Sequence, residues 1–165
     1  MSLQPPLVAG LTPGLRVAIS AGASGIGRSL AETFIAHQAR VAICDIDDTA
    51  LENFQTAHPG HVAFKADAGH EADIDAFFDR VEADLGGLDV LVNNAGIAGP
   101  TAAVEEIEPE DWRRTVDVNL NGQFYCARRA VPLLKRNSDG VIINVSSVAG
   151  RLGYAYRLPY AATKW

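Results

Sequence analysis

The residues whose types and spacing speak most directly of chemistry are Tyr160 and Lys164. Four positions apart, they fall on one face of a helix, a turn from each other. A free phenol, with a pKa of about 10, is a poor base at neutral pH. A neighbouring ammonium and the positive end of a helix both favour the phenolate. A tyrosine so placed can take the proton from an alcohol or return one to a carbonyl oxygen. Ser147, 13 residues upstream, can hydrogen-bond the same oxygen and stabilise its developing charge. A tyrosine and a lysine at this spacing are usually a surface pair, so the rest of the sequence has to decide.

The decisive context is a glycine-rich turn. The β-branched run Arg16–Ser20 leads into Ala21-Gly22-Ala23-Ser24-Gly25-Ile26-Gly27 and then a segment of helical period. Such a turn lets the backbone approach a pyrophosphate, and the helix N-terminus offers free N–H groups and a positive dipole end. Gly22, Ser24, Gly25, Ile26 and Gly27 are therefore candidate cofactor-binding residues. Asp45 closes the next β-branched run 18 residues after Gly27, where a carboxylate can accept hydrogen bonds from an adenosine ribose diol. The same carboxylate would repel a 2′-phosphate, and neither Ala23 nor Ser24 is basic, which favours NAD over NADP.

Five motifs in order carry a resemblance to the short-chain dehydrogenase/reductase family, of the compact single-domain type, over Arg16 to Trp165. The glycine turn resembles the family's T-G-x-x-x-G-x-G, and Asn93-Asn94-Ala95-Gly96 matches its N-N-A-G. Asp117-Val118-Asn119-Leu120-Asn121-Gly122 resembles D-V-N-L-x-G, and Asn144-Val145-Ser146-Ser147 the serine-bearing end of its fifth strand. Tyr160-Ala161-Ala162-Thr163-Lys164 matches Y-x-x-x-K. The resemblance implies a hydride transfer between NAD and an alcohol or carbonyl substrate, with Asn119, Ser147, Tyr160 and Lys164 as the catalytic set. It also implies that Asp67 and Ala68 flank the adenine. Asn94, Ala95 and Gly96 would line the cofactor, with Asn94 against a ribose. Lys164 would bind the nicotinamide ribose, and Asn119 would hold a proton-relaying water. The family's first loop glycine falls on Ala21, so either a Cβ crowds the turn or Gly22 takes over the conformational role. Family members also commonly pair subunits through the long helix holding Asn119 and the helix at Tyr160, which implies a homodimer or homotetramer.

These side chains have to be held by alternating strands and helices. Strands are expected at Arg16–Ser20, Val41–Asp45, His61–Ala66, Leu88–Asn93 and Val141–Ser146. Helices are expected between them, including one with Ile26, Leu30 and Phe34 on a face. Another carries Ile74, Phe77, Phe78, Val81 and Leu85, and a long one runs from about Pro109 to Arg136. On the long helix, Trp112, Val116, Leu120, Phe124 and Val131 form the apolar side. Pro109 suits its first turn, and Pro132 should kink its far end. The pattern is α/β: a Rossmann-type doubly wound parallel sheet with helices on both faces. Residues 1–14 read as a loose leader and 15–165 as the NAD(P)-binding domain. Five strands and a helix barely begun at Trp165 read as the front of a longer protein. The fifth strand would then lack its next neighbour and leave an apolar edge open.

Composition narrows the alternatives. With 165 residues, 48% hydrophobic and 21% charged, the chain fits one folded domain. Fourteen basic against 20 acidic residues, net −6, argue against a nucleic-acid binder and for a small-molecule ligand. Cys44 and Cys126 form no metal or disulfide pattern and read as small apolar side chains in a reducing, cytoplasmic setting. His37, His58, His61 and His70 lack ligand spacing and fit exposed helix ends or loops, so no metal is assigned. No stretch approaches the ~20 apolar residues of a membrane span, and no basic residue precedes Arg16 as a signal peptide would require. Ile97–Thr101 and Gly150–Pro159 follow strands four and five and should rim the substrate pocket, where Arg151 could meet an anion. Two other readings keep the fold: an NADP-dependent carbonyl reductase, and a dinucleotide-binding sensor or scaffold without turnover.

Overall fold

The computed structural model describes residues 10–165. Five strands, β1 (Arg16–Ser20), β2 (Arg40–Asp45), β3 (Val62–Lys65), β4 (Val90–Asn93) and β5 (Val141–Asn144), form one sheet in the order β3-β2-β1-β4-β5. Every pairing is parallel, with Val17 beside both Val41 and Val90, and Val90 beside Val141. Helices α1 (Gly25–Ala36), α2 (Asp48–Ala57), α3 (Glu71–Leu85), α4 (Pro109–Val116), α5 (Gly122–Leu134) and α6 (Leu158–Lys164) make up the crossovers and the last segment. Strand order reverses between β1 and β4. The turns leaving their carboxyl ends diverge there, which opens the crevice where ligands of such sheets bind. The expected doubly wound sheet is the observed one.

Alternation along the strands sends side chains to two cores. Val17, Ile19, Val41, Ile43, Val90 and Val92 pack with Phe34 and Phe54 on one face. Ala18, Ala42, Cys44 and Leu91 pack with Phe77, Phe78, Val81 and Cys126 on the other. The small residues on the second face let α3 and α5 lie close to the sheet. Both cysteines are buried and free. Among the described residues β5 pairs only with β4, and Val141, Ile142 and Ile143 are exposed.

Three expectations need correction. First, α4 and α5 are one continuous helical run, but they are joined by a wider π turn at Asp117–Asn121, and the run passes through Pro132 to end at Leu134. The bulky stripe read as its apolar side looks outward: Trp112, Leu120 and Phe124 are exposed. The inward face is instead Thr115, Val118, Asn119, Gly122, Cys126 and Ala130. A Cβ on Gly122 would lie 2.6 Å from the Ala68 carbonyl oxygen, so only small residues allow this approach. Second, His37 is buried, with its Nδ1 2.8 Å from the Thr33 carbonyl oxygen. Third, of the expected leader, residues 1–9 lie outside the described residues, but 10–14 are tied down. Leu11 packs on the core, and the Gly14 N–H donates to the Gln38 carbonyl at 2.9 Å. No described helix is long and apolar enough to cross a membrane.

Candidate active site

The first wall of the crevice is the turn after β1. Ala21 itself adopts the left-handed conformation, at φ 51°, where the family pattern has glycine. Gly22 does not take over that role. It is needed for space, since a Cβ there would sit 2.6 Å from Ile43 Cγ2. Gly25, at φ 52°, meets nothing within 4 Å and leaves the turn open to a ligand. A Cβ on Gly27 would collide with the Ala21 carbonyl and with Asn94 Nδ2, so this glycine lets α1 start against the turn. Ser24, the N-cap of α1, makes no side-chain capping bond, so the first N–H groups of the helix have no side-chain acceptor there. Ile26 is exposed at the cavity rather than packed with Leu30 and Phe34.

Ser20 and Asn94 bind the two diverging turns together. The Ser20 hydroxyl accepts the Asn94 and Ala95 N–H groups at 3.1 and 3.0 Å. Asn94 Nδ2 donates to the Ser20 and Ala21 carbonyls at 3.1 and 2.9 Å. Asp45 ends β2 buried, its carboxylate accepting the N–H groups of Ala23 at 3.1 Å and Ile46 at 2.8 Å. Asp67 is engaged too: Arg114 Nη2 pairs with it at 2.8 Å, and the Gly69 N–H donates to it at 2.8 Å. Ala68 is buried beneath Gly122.

The second wall is β5 and α6. Ser147 caps the short turn Val148–Gly150, its Oγ accepting the Ala149 N–H at 3.2 Å. That turn rests directly on α6, because Gly150 abuts the Lys164 carbonyl with no room for a Cβ. The Ser146 hydroxyl donates to the same carbonyl at 2.9 Å. Lys164 is buried, and its Nζ donates to the Val145 carbonyl at 2.9 Å and lies 6.0 Å from the centre of the Tyr160 ring. Burial pushes the Lys164 ammonium below its ordinary pKa, and the nearby Tyr160 oxygen opposes that shift. Gly96 makes the reach possible: a Cβ there would stand 3.2 Å from Lys164 Nζ.

One cavity of about 840 Å³ joins the two walls, lined by Ser24, Ile26 and Asn94 toward the glycine turn and by Ser147, Tyr160 and Lys164 at the other. Asn119 is not on its surface. Fully buried, it accepts the Ile97 N–H and donates to the Ile97 carbonyl and to Thr163 Oγ1. Its own carbonyl accepts from Gln123 Nε2 at 2.7 Å. Three further residues join the site without having been singled out. Ser20 ties the turns, Thr163 donates to the Tyr160 carbonyl at 2.9 Å, and Arg157 lines the cavity three residues before Tyr160. The Thr163 spacing, inside Y-x-x-x-K, was the available signal. No group of three potential metal ligands sits together among the described residues.

The open Gly25 face, the uncapped start of α1 and the buried Asp45 at the end of β2 fit a dinucleotide laid across the crevice. The chemistry of these groups matches a pyrophosphate and a ribose diol.

Comparison with known proteins gives a consistent set of relatives. The sequence profile described as short chain dehydrogenase matches residues 16–165. A 2-dehydro-3-deoxy-L-rhamnonate dehydrogenase (NAD(+)) of Sphingomonas sp. (strain SKA58) is 36% identical, over 94% of this chain and 63% of the relative. A cis-4-hydroxycyclohexanecarboxylate dehydrogenase of Sinomonas cyclohexanicum is 37% identical, over 90% and 61%. A crystal structure of a glucose/ribitol dehydrogenase from Brucella melitensis superposes with a TM-score of 0.87 at 32% identity, covering 93% of this chain and 65% of that one. The chain thus spans roughly three fifths of the length of these relatives.

Proposed function

The chain belongs to the short-chain dehydrogenase family, and from that premise we propose that the protein is an NAD-dependent oxidoreductase acting on an alcohol or carbonyl substrate. The observation that carries this reading is the single cavity running from the glycine turn to Ser147, Tyr160 and Lys164. Bound NAD supplies the hydride acceptor, or in its reduced form the donor. Ser24, Ile26 and the start of α1 hold its pyrophosphate, and Asp45 accepts from its adenosine ribose. Asn94 steadies the turn, and Lys164 reaches the nicotinamide end.

Alcohol oxidation then asks two things of the chain's own groups. Tyr160 takes the hydroxyl proton as the carbinol carbon gives up its hydride, and Ser147 donates a hydrogen bond to the same oxygen. In the reverse direction Tyr160 returns the proton to the carbonyl oxygen. Lys164, one turn along, keeps a positive charge beside the phenol. Asn119 acts at a distance by fixing Ile97 and Thr163. The two sequence relatives named above are dehydrogenases, one of them specified for NAD(+), which supports the class.

Residues 15–165 are the dinucleotide-binding unit in this reading. The outward Trp112, Leu120 and Phe124 form the apolar face through which a homo-oligomer would assemble. The free buried thiols Cys44 and Cys126 suit a reducing, cytoplasmic setting.

The test is Tyr160→Phe in the complete protein. Turnover on the best alcohol found with NAD should fall at least ~10²-fold, the lower end for an acid–base group, with NAD affinity within about threefold, since the ring is kept. Unchanged turnover would remove Tyr160 from the chemistry. Tighter binding of NADP than of NAD would remove Asp45 from cofactor choice.

A further inference from the structure

The chain has 14 lysines and arginines, and nine of them have a carboxylate partner. Arg40, Lys135, Arg151, Arg157 and Lys164 have none among the described residues. Two of these five, Arg157 and Lys164, line the large cavity, and Arg151, exposed, lies in the chain between its lining residues Ala149 and Leu152. Among the described residues no aspartate or glutamate lines that cavity. In a chain of net charge −6, this is a local excess of positive charge with no internal counter-ion.

Lys164 has its place beside Tyr160, but Arg157 needs another account. Its Nη2 donates to the Ala98 carbonyl at 3.0 Å and its Nη1 to Thr101 Oγ1 at 3.1 Å. Its guanidinium carbon lies 5.5 Å from the centre of the Tyr160 ring. The Nε is buried and has no hydrogen-bond partner. Tyr156, held at φ 60°, accepts the Ala102 N–H at 3.0 Å and so fixes the loop that presents Arg157. Both of Arg157's acceptors are neutral, so they fix the guanidinium without offsetting its charge. One N–H remains on each terminal nitrogen, the fork that matches a carboxylate. Holding a half-buried cation without a counter-ion costs stability, and a chain that pairs eight of its ten other arginines with carboxylates has not paired this one.

We propose that Arg157 is the substrate-specificity residue of this site and reads a carboxylate, so that the substrates are hydroxy acids and the corresponding oxo acids. The carboxylate pairs with Arg157 while the reacting oxygen lies at Tyr160 and Ser147, and Arg151 adds charge at the mouth. The assignment rests on the dehydrogenase reading for the reaction, but the anion site itself can be measured without turnover.

The experiment is calorimetric titration of the complete protein saturated with NADH, so that the pyrophosphate site is already filled. The probes are cyclohexanecarboxylate and cyclohexanecarboxamide, alike in shape and different in charge. The acid should bind about tenfold or more tightly than the amide, the worth of one charge-assisted hydrogen bond. Arg157→Gln should abolish the preference, and Arg157→Lys, which keeps the charge, should retain part of it. Steady-state rates on 4-hydroxycyclohexanecarboxylate and its carboxamide should show the same preference in kcat/KM, carried by KM. Equal binding of the two probes by the parent protein would overturn the proposal, as would a preference that survives in Arg157→Gln. Loss of the preference in Arg157→Lys as well, with an unchanged melting temperature, would still support it by requiring the guanidinium fork. An acid preference that depends on Arg157 in a protein showing no alcohol oxidation would keep the anion site and reject the dehydrogenase reading. Oxidation of neutral alcohols with no acid preference would do the reverse.

Discussion

Asn119 holds Ile97 by both of its backbone polar groups: Oδ1 accepts the Ile97 N–H at 2.7 Å, and Nδ2 donates to the Ile97 carbonyl at 3.0 Å. The side-chain amide thus does for the loop after β4 what a neighbouring strand would do. Its second amide hydrogen goes to Thr163 Oγ1, which in turn donates to the Tyr160 carbonyl. The π turn brings Asn119 to this inward position, as such turns often do at functional sites.

Asn119→Ala should therefore strip partners from buried groups on two elements at once. The expected loss is about 2–3 kcal/mol of unfolding free energy, read as a lower urea midpoint at unchanged slope. Turnover should fall as well, because the loop and α6 lose their tie. An unaltered midpoint would mean that water replaces the amide at no cost.

Ala21 and Gly27 should respond in opposite senses. Ala21→Gly relieves a left-handed alanine worth about 1–2 kcal/mol but adds freedom to the unfolded chain worth about 0.4–1 kcal/mol. Thermal stability should stay level or rise slightly. Gly27→Ala drives a methyl group into the Ala21 carbonyl and Asn94 Nδ2, so NAD affinity should fall by at least about tenfold. Full NAD affinity in Gly27→Ala, followed by fluorescence titration, would contradict the packing described.

Asp45→Asn tests the cofactor assignment with little change of shape. The NAD-over-NADP affinity ratio should drop about tenfold as the charge that repels a 2′-phosphate disappears. Asp45 also accepts the Ala23 and Ile46 N–H groups, so NAD binding itself should weaken. Only the ratio isolates the charge.

Asp89 and Arg16 clamp the starts of β4 and β1. Arg16 donates to Asp89 from its backbone N–H at 2.8 Å, from Nε at 2.9 Å and from Nη2 at 2.7 Å. These bonds hold the Asp89 carboxyl below its ordinary pKa. A carboxylate lowered in the folded state stabilises fully above the unfolded value and loses that contribution as pH falls through the folded one. Asp89→Asn should cost about 1–3 kcal/mol at pH 7, and the difference from the parent should begin to shrink as pH falls below the ordinary carboxylate range and go on shrinking through the lowered folded-state value. A difference that does not shrink on acidification would assign the effect to shape.

The cysteines should be silent. Burial pushes the Cys126 thiol up to about 12 and Cys44 well above its ordinary value. Neither should react with a disulfide reagent at pH 8 until the protein unfolds, and rapid labelling of the native state would refute the packing around Phe77 and Leu91.

Much of this was legible because strands in a parallel sheet write themselves as β-branched runs, the glycine turn, N-N-A-G and Asn144-Val145-Ser146-Ser147 mark the ends of β1, β4 and β5, and Y-x-x-x-K falls on α6. What was not legible depends on size and proximity in three dimensions. The long helix turns inward on Gly122, Cys126 and Ala130, which a search for bulky apolar residues passes over, and the π turn shifts its phase. Ala21 could be seen as a departure, but only the backbone shows that it accepts the left-handed conformation while Gly22 is kept small by Ile43. Chain order put Ile97–Thr101 and Gly150–Pro159 on one rim, but not that Arg157, rather than Arg151, is the arginine held across it by Ala98 and Thr101.

The long helix also sets neighbours back to back. Leu120 is 53% exposed, and Asn119, the residue before it, is wholly enclosed. A single peptide link separates a side chain on the outer surface from the one that braces Ile97 and Thr163. Any partner that covers Leu120 would thus press on the backbone that carries this brace.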